Sequence, residues 1–459
     1  MSVVGIVLAA GKGTRMRSDL PKVLHRIAGR SLVEWSVGAA LDAGVDRCVV
    51  VVGHGRDEVC KALTERFGDR VGFAVQEQQL GTGHAVKCGL DAVDADRVLV
   101  LYGDCPLIPS STLASLLAQQ GSVGLVTGNL REPTGYGRIL RNPEGRVIGI
   151  REQKDCSAEE RAITEVNPGI YAFDTAFLRD AIARLATDNA QGELYLTDVV
   201  EMADDVVDVL GDMTFLQGVN DRWQLADAAK VMRLRLNEGW ARAGVGIVDP
   251  FSTFIDADCA IEPDCTIESN VHLRGRCTVG AGAVIDVGCV LEDVRVEAGA
   301  HLLPYTVAKE SRIGPRATVG PFSHLRPATD LGPDSKVGNF CETKKTIVGE
   351  GSKVNHLAYV GDGVLGKHVN VGAGVIFCNY DGVQKHTTVL KDGVFVGSDS
   401  QIVAPVTVGE GAYIASGSTI TKDVPADALA IARTRGQTNK AGFASKLRAR
   451  FGASKKAGK

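Results

Sequence analysis

The sequence predicts an α/β domain with a mostly parallel sheet, followed by a three-sided parallel β-helix. With 459 residues, the chain exceeds what one hydrophobic core usually supports. Up to about residue 225, short β-rich runs alternate with amphipathic segments of helical length, which is typical of a parallel sheet covered by helices. Beyond Asp249 the helical period disappears, and an aliphatic residue recurs every six positions.

The apolar runs of the first part predict its elements in order. Strands are expected at 4–10, 48–52, 98–102 and 124–127, and helices at 32–43 and 57–67. In a parallel α/β sheet, ligands bind at the carboxyl ends of strands. The loop 11–22 and the Tyr102-Gly103-Asp104 segment both lie at such ends. We therefore expect these two segments to form one site.

Residues 222–243 are predicted to form a single helix that links the two parts. An apolar stripe at helical spacing supports this prediction: Leu225, Ala229, Met232, Leu236 and Trp240. The predicted boundaries are 1–221 for the first domain, 222–248 for the helical linker, 249–435 for the β-helix and 436–459 for a basic tail.

The six-residue repeat predicts the second domain. Its aliphatic positions are Ile255, Ile261, Ile267, Leu273, Val279, Ile285 and Leu291, then Ile313, Val319, Leu325, Leu331 and Val337, then Val396, Ile402, Val408, Ile414 and Ile420. Each hexapeptide is expected to form one side of a triangular coil, with its aliphatic side chain inside. The segment 378–393 interrupts the repeat with polar residues, and insertions in a solenoid become loops that tend to carry function.

Composition excludes several classes of protein. A net charge of −4 argues against a general nucleic-acid binder. The 11 cysteines include no Cys-x-x-Cys pair, which argues against a disulfide framework or zinc site. Cys259, Cys265, Cys277 and Cys289 all stand two residues before an aliphatic position, so packing explains them. No apolar run approaches the roughly 18 residues of a membrane-spanning helix. We therefore expect a cytoplasmic protein without membrane insertion.

The loop after the first strand carries the most informative motif. Residues 11–16 read Gly-Lys-Gly-Thr-Arg-Met, and Pro21-Lys22 follows four residues later. Such a loop presents backbone N–H groups and cationic side chains to a phosphate tail. It lacks the third glycine of a dinucleotide fingerprint and the Gly-Lys-Thr or Gly-Lys-Ser of a Walker loop. A plain surface turn would explain the glycines but not Arg15 together with Lys22, so we predict a nucleotide site.

This motif is similar to the signature of the sugar-1-phosphate nucleotidylyltransferases, whose catalytic domain is Rossmann-like. The hexapeptide repeat resembles the left-handed parallel β-helix of the hexapeptide acyltransferases. From Val3 to about Arg435, the chain resembles the bacterial bifunctional N-acetylglucosamine-1-phosphate uridylyltransferase/glucosamine-1-phosphate acetyltransferases. The resemblance implies acetyl transfer from acetyl-CoA to glucosamine 1-phosphate. Uridylyl transfer from UTP to N-acetylglucosamine 1-phosphate would follow, with release of pyrophosphate, and supply precursors of peptidoglycan and other envelope polymers.

Uridylyl transfer needs no general base, because the phosphate oxygen that attacks is already ionised. Catalysis then depends on positioning and charge neutralisation, for which Arg15 and Lys22 are suited. The resemblance assigns Mg²⁺ to Asp104 and Asn220; taken alone, these residues could begin a turn and cap a helix. The contacts it implies for UTP and the UDP-sugar are Leu8, Ala9, Gly11, Lys22, Gln76, Gly81, Thr82, Tyr102, Gly103, Asp104, Gly137, Glu152, Asn167 and Asn220.

Acetyl transfer to an amine needs a base, and histidine fits best. The resemblance makes His356 this base, with Glu342 as its orienting partner. The residues that it implies for the glucosamine phosphate are Arg326, Lys344, Tyr359, Asn370 and Lys385. Those that it implies for acetyl-CoA are Ala373, Asn379, Tyr380, Ser398, Ser416 and Arg433. It also implies a homotrimer, because the family's acetyl-transfer sites lie between neighbouring subunits.

Two alternative functions stay open at this point. One is a monofunctional hexose-1-phosphate nucleotidylyltransferase with a regulatory β-helix, and the other is a nonenzymatic scaffold with the same architecture. The intact loop 11–22 together with Asp104 argues against the scaffold. His356 with Arg326 and Lys344 argues against a purely regulatory β-helix.

Overall fold

A computed structural model describes residues 1–433, so the predicted basic tail at 436–459 lies outside the described residues. The described residues form two compact units, one of residues 1–240 with 254–258, the other of residues 241–253 with 259–433. Within residues 1–433, none of the helices has both the length and the apolar character needed to cross a membrane.

The first unit alternates strands and helices as its sequence predicts. Its main strands are β1 Val3–Ala9, β2 Arg26–Ile27, β3 Arg30–Ser31, β4 Arg47–Val52, β5 Val71–Val75, β6 Arg97–Tyr102, β7 Val123–Asn129, β8 Gly137–Arg141, β9 Val147–Arg151, β10 Glu165–Asn167, β11 Tyr171–Asp174 and β12 Val206–Gly211. Its α-helices are α1 Leu32–Asp42, α2 Arg56–Phe67, α3 Thr82–Leu90, α4 Ser110–Leu117, α5 Ala158–Arg161, α6 Thr175–Ala183, α7 Met213–Leu216 and α8 Arg222–Arg242. Short 3₁₀ turns occur at Thr14–Met16, Lys22–Leu24, Gly68–Arg70 and Leu196–Met202, and a further short strand, Phe254–Ile255, clusters with this unit.

The main sheet has the strand order β5-β4-β1-β6-β11-β7-β10-β8-β9, and β12 pairs with β7. Strands β5, β4, β1 and β6 are parallel, as are β12 and β7, whereas β11, β10, β8 and β9 pair antiparallel. Alternate residues of β1 enter different cores, Val7 on one face and Ile6 on the other. Both faces are therefore covered, and the nucleotide loop and Asp104 follow neighbouring parallel strands.

Helix α8 matches the helix predicted at 222–243. Its residues Leu225, Ala229 and Met232 belong to an apolar cluster with Ile27 and Leu32. The helix clusters with the first unit as far as Trp240. The apolar stripe that identified the helix is thus the face that packs on the rest of the first unit.

The second unit is built from three parallel sheets. The first face contains Gly246–Ile247, Thr266–Ile267, Val284–Ile285, His301–Leu302, Thr318–Val319, Lys336–Asn339, Lys353–His356, Asn370–Val371, Phe395–Val396, Tyr413–Ile414 and Leu429–Ala430. The second contains His272–Arg274, Val290–Glu292, Val307–Lys309, His324–Leu325, Glu342–Lys344, Tyr359–Gly361, Ile376–Cys378, Gln401–Val403 and Thr419–Ile420. The third contains Ala260–Ile261, Thr278–Val279, Arg295–Val296, Arg312–Ile313, Asp330–Leu331, Ile347–Val348, Gly363–Leu365, Thr388–Leu390 and Val406–Val408.

The aliphatic residues of the repeat fill the inside of these coils. Ile267, Ile285 and Leu325, for example, are fully buried, as the predicted register requires. The four cysteines assigned to packing positions are also buried, and all 11 cysteines, which lie within residues 1–433, are free thiols. The polar interruption forms a loop at 379–387 between two strands. The repeat therefore builds the scaffold, and the interruption stands out from it.

Candidate active sites

Four side chains that are distant in sequence meet at the carboxyl ends of β1 and β6. Lys22 forms an ion pair with Asp104, and its Nζ lies 3.4 Å from Oδ1 of Asn220. Arg15 Nη2 donates to the same Asn220 oxygen at 2.9 Å. The backbone N–H of Val219 donates to the Asp104 carbonyl at 2.9 Å and ties the Asn220 segment to the end of β6. Two cations and two oxygen ligands are thereby brought to one point.

Two glycines permit this close packing: Gly13 of the loop motif and Gly55 at the start of α2. Gly13 has φ +60°, and a Cβ there would lie 2.4 Å from Lys22 Cβ. A Cβ on Gly55, at the start of α2, would lie 2.2 Å from Pro21 Cγ. A side chain at either position would collide with Pro21 or Lys22, so glycine is required for these two residues to lie against Gly13 and Gly55. The spacing of the motif therefore reflects the position that Lys22 must reach.

A cavity of about 320 Å³ lies on one side of this cluster. Predicted nucleotide contacts line it: Leu8, Ala9, Gly11, Lys22, Gln76, Gly81, Thr82, Tyr102 and Asp104. A second cavity of about 400 Å³ shares Tyr102 and Asp104 with the first. Predicted residues in the second are Arg15, Gly137, Glu152, Asn167 and Asn220. Gly103 is not among the lining residues of either; it packs behind the wall, where a Cβ would lie 3.2 Å from Val33.

The donor set at the junction fits magnesium. One ammonium group contacts both the Asp104 carboxylate and the Asn220 amide oxygen, so these two oxygens converge on a single cation position. Over residues 1–433, no group of three or more His, Cys, Asp or Glu side chains could hold a metal ion alone. Mg²⁺ takes few protein oxygens and completes its shell with phosphate and water. Asp104 and Asn220 would thus hold a magnesium ion that is shared with a nucleotide.

Polar side chains of the second cavity are held by their neighbours. Glu152 accepts a hydrogen bond from Thr197 Oγ1 at 3.3 Å, and burial, reinforced by nearby carboxylates, raises the pKa of Glu152. Asn167 Nδ2 donates to the Tyr171 hydroxyl at 2.6 Å, and Asn167 Oδ1 accepts from the Gly169 backbone at 3.0 Å. Fixed acceptors and donors of this kind suit the hydroxyl groups of a sugar.

We expect Glu152→Gln to raise the melting temperature at pH 7.5, because glutamine keeps the shape and the acceptor but removes a penalised charge. The folded-state pKa of Glu152 is raised, so its contribution to stability is greatest below the unfolded-state pKa and is lost as the pH rises through the folded-state pKa. The gain in melting temperature should therefore grow from pH 4 to pH 7.5. Thermal unfolding of both proteins across this range tests it, and a gain independent of pH would contradict the assignment.

In the second unit, one corner of the coils carries a column of predicted residues. His356, Ala373, Ser398 and Ser416 each stand two residues after an inward-facing aliphatic residue of the first face. Strand register places these aliphatic residues opposite one another on successive coils, about 4.8 Å apart. A Cβ on Gly397 would lie 2.5 Å from the Ser416 nitrogen, so only glycine allows the two coils to pack this closely at the corner. Arg433 Nη1 donates to the Ser416 carbonyl at 2.8 Å, at the end of this column.

The orienting partner of His356 is not the one that the sequence predicted. His356 Nδ1 lies 2.6 Å from Oδ1 of Asn339, which occupies the same register position on the preceding coil. Glu342 instead accepts from Arg326 Nη1 at 2.7 Å. The expectation for Glu342 was therefore wrong, because it lies on the second face while His356 ends a strand of the first. An amide oxygen can only accept, so Nδ1 carries the proton and Nε2 is left with a lone pair.

Two cationic side chains of the second face, Arg326 and Lys344, lie together with Lys385 of the loop 379–387. Arg326 and Lys344 occupy matching positions of neighbouring coils, and the Arg326 backbone donates to the Thr343 carbonyl at 2.9 Å. The side chain of Lys385, from the loop, lowers the pKa of Lys344, and burial and the charge of Arg326 add smaller effects in the same direction. Such a cluster gains most from a dianion, which would relieve the repulsion.

Near these cations, Tyr359 and Asn379 close over Gly361. A Cβ on Gly361 would lie 2.5 Å from the Tyr359 hydroxyl oxygen and 2.6 Å from Asn379 Nδ2. Asn379 Nδ2 also donates to Asp362 Oδ2 at 2.5 Å. The loop residue Tyr380 donates its hydroxyl proton to the Gly382 carbonyl at 2.6 Å. These contacts fix the base of the loop beside the cationic cluster.

One chain does not bring all the predicted residues of the second site together. Asn370 lies on the first face, in register with Lys353 and Phe395. Lys344 and Tyr359 lie on the second face. Asn370 therefore lies on a different side of the β-helix from the cationic cluster.

Asn339 and Glu193 are among the orienting or lining residues that escaped the sequence analysis. Asn339 follows Val337 by two positions, as His356 follows Val354, so the register of the repeat could have identified it. Glu193 lines the first cavity, but no motif marks it. It is placed by its neighbour Leu194, whose backbone bonds to Leu80 and Gly83.

Comparisons with known proteins match both units. The MobA-like NTP transferase domain model matches residues 5–195, and the bacterial transferase hexapeptide (six repeats) model matches residues 387–422. A bifunctional protein GlmU of Sorangium cellulosum is 54% identical over 98% of this chain and 97% of its own length. Another, from Trichlorobacter lovleyi, is 49% identical over 96% of this chain and 98% of its own length.

The chain belongs to the GlmU family of bifunctional proteins. Membership confirms the family inferred from the loop motif and the hexapeptide repeat, and with it the left-handed β-helix. GlmU relatives match the chain nearly end to end, so the reading as a monofunctional enzyme with a regulatory β-helix is not favoured.

Proposed function

We propose that the chain makes UDP-N-acetylglucosamine in two steps, one at each site. The observation that carries this proposal is the meeting of Lys22, Asp104 and Asn220 at the junction of two cavities, on a chain whose second unit holds His356 with its Nδ1 against Asn339. UTP and N-acetylglucosamine 1-phosphate are the substrates of the first unit. Glucosamine 1-phosphate and acetyl-CoA are those of the second. Because UTP and acetyl-CoA are metabolites of the cytoplasm, the enzyme acts there.

In uridylyl transfer, an oxygen of the sugar phosphate attacks the α-phosphorus of UTP. The new P–O bond forms as the α–β bond breaks, and pyrophosphate leaves with the electron pair. Mg²⁺ held by Asp104 and Asn220 supplies neutralisation of the phosphate charge when bound. Lys22, which pairs with Asp104 in the structure, moves its charge to the phosphates, and Arg15 adds a second cation. The nucleoside fills the first cavity and the sugar the second.

In acetyl transfer, His356 removes a proton from the sugar amine through Nε2. The nitrogen forms a bond to the thioester carbonyl carbon, the C–S bond breaks, and coenzyme A leaves as a thiolate that takes up a proton. Asn339 holds the ring in the tautomer that this step needs. Arg326, Lys344 and Lys385 bind the sugar phosphate, and the corner of Ala373, Ser398 and Ser416 receives the extended coenzyme.

The working enzyme is a homotrimer with acetyl-transfer sites between subunits. Two observations support this part of the proposal. Asn370 lies on a different face from Lys344, which is the arrangement expected if a neighbouring chain completes the pocket. Tyr305, Phe322 and Phe340 stack with ring centroids 5.3 and 5.5 Å apart at one corner, although each ring residue is at least half exposed. Such an exposed apolar ladder suits contact with a second copy.

One assay tests the whole proposal. The full chain is incubated with glucosamine 1-phosphate, acetyl-CoA, UTP and Mg²⁺, each omitted in turn, and products are identified by mass. We expect UDP-N-acetylglucosamine only from the complete mixture, and N-acetylglucosamine 1-phosphate when UTP is omitted. A protein that forms UDP-sugar from supplied N-acetylglucosamine 1-phosphate but never acetylates would restore the regulatory alternative.

We expect Asn339→Ala to lower the kcat of acetyl transfer up to about tenfold, because one hydrogen bond contributes up to about 1.5 kcal/mol. Asn339→Asp keeps an acceptor at the same place and should restore most of the rate. Steady-state kinetics of both variants, with uridylyl transfer as the control, provide the measurement. Equal losses in both variants would show that Asn339 acts by another route.

A further inference from the structure

A histidine lies beside Gln76, which lines the first cavity, the one proposed to hold the nucleoside. His84 is on the first turn of α3, and its Nδ1 lies 3.1 Å from Nε2 of Gln76. Gln76 Nε2 also donates to the Gly81 carbonyl at 3.2 Å. His84 Nε2 lies 3.9 Å from Cys88 Sγ, one helical turn further on. Gln76 is thus held on one end by two groups of the same loop and helix.

These contacts determine both the amide orientation and the imidazole tautomer. The Gly81 carbonyl can only accept, so the NH₂ end of the Gln76 amide must face it. The second proton of that NH₂ points at His84 Nδ1, which must therefore offer its lone pair. The ring proton is on Nε2, directed at the Cys88 sulfur. With both N–H donors used, only the carbonyl oxygen Oε1 remains to face the cavity.

The orientation of the Gln76 amide decides whether a hydrogen-bond acceptor or a donor faces the first cavity. It is 6% exposed and lines the nucleoside cavity, so its amide cannot turn freely into solvent. Within residues 1–433, its Oε1 has no hydrogen-bond donor of its own. An acceptor at the cavity wall that has no donor from the protein favours a ligand that brings one.

We propose that His84 is a positioning residue that makes the site select uracil over cytosine, by holding the Gln76 amide with its oxygen toward the base. This inference rests on the proposed uridylyl transfer. Uracil carries a proton on N3 and can donate to Oε1, whereas cytosine has a lone pair at N3 that would face the amide oxygen. Cytosine would fit only if the amide turned over; that turn would place Oε1 against the Gly81 carbonyl and require His84 to move its proton from Nε2, where it faces Cys88 Sγ, to Nδ1. A binding site rejects an incorrect ligand most strongly when that ligand would leave a buried polar group of the site without a hydrogen-bond partner.

The test compares UTP with CTP in His84→Phe, which keeps a ring but removes the acceptor. We expect the ratio of kcat/KM for UTP to that for CTP to fall about 3- to 10-fold, the effect of one lost hydrogen bond. The loss with UTP should lie in KM rather than kcat, because the base is remote from the reacting phosphorus. His84→Asn places an amide oxygen near the position of Nδ1 and should restore the ratio. 5-Methyl-UTP, which keeps the N3 proton, should follow UTP in every variant.

A matched control separates positioning from stability. Val86→Ala, a fully buried position on the same helix, should lower the melting temperature but leave the UTP/CTP ratio unchanged. If His84→Phe does not fold, His84→Ala removes the same acceptor without added bulk. An unchanged ratio in the folded His84 variants, or no rescue by His84→Asn, would overturn the inference while uridylyl transfer stands. Absence of UTP turnover in the unmodified enzyme would instead overturn the proposed function itself.

Discussion

Asp104→Asn is expected to lower uridylyl transfer by about 10³-fold or more while acetyl transfer continues. Among the described residues that line both cavities, Asp104 supplies the carboxylate, and it shares the Lys22 ammonium group with the oxygen of Asn220. Loss of its charge removes the anionic half of the cation site, and a metal clamp on transferring phosphate contributes several kcal/mol to the transition state. The residues proposed for acetyl transfer lie in the other unit, and that reaction involves no triphosphate that a metal ion must neutralise.

Both rates should be measured on one preparation, with Mg²⁺ varied. Asp174→Asn is a matched control, because Asp174 also ends a strand of the same sheet but caps α6 by accepting from the Phe177 backbone at 2.9 Å. Asparagine caps helices equally well, so that variant should keep both activities. Near-normal uridylyl transfer in Asp104→Asn at saturating Mg²⁺ would remove Asp104 from the proposed metal site.

His356→Ala is expected to lower acetyl transfer about 10²- to 10⁴-fold, the usual range for a positioned general base. The ring is exposed, and its one hydrogen bond is to Asn339, so little of the fold depends on it. Uridylyl transfer and the melting temperature should therefore stay close to those of the unmodified chain. Raising the pH should restore part of the acetyl transfer, because more of the sugar amine then arrives without its proton.

His301→Ala provides the comparison for this variant. His301 lies on the same face of the β-helix, three coils earlier, and its ring faces Asp286 rather than a predicted site residue. It should retain acetyl transfer. A stable His356→Ala protein that still acetylates at the normal rate would require another base. A His356→Ala protein with a lower melting temperature and a loss of both activities would show that His356 has a packing role.

Much of the fold was predictable because its signals are local. Alternating runs identified β4, β6, β7, α1 and α2 to within a residue or two. The six-residue period identified the inside of every coil where it held. The antiparallel pairs formed by strands β8, β9, β10 and β11 were not predictable in this way, because the spacing of hydrophobic residues does not encode the direction of a strand. The bond from His356 to Asn339 rather than Glu342 depends likewise on which corner each residue occupies.

By itself, the sequence determined the two folds, the phosphate-binding loop and the types of side chain available for each reaction. These are properties of period and spacing, which neighbouring residues define. Only the tertiary structure decided that Arg15 meets Asn220 across 205 positions of sequence, that His84 holds the Gln76 amide, and that Asn370 and Lys344 lie on different faces. Such contacts depend on how strands order in the sheet and how coils stack, because packing of the whole unit, rather than any local pattern, brings distant side chains to one point.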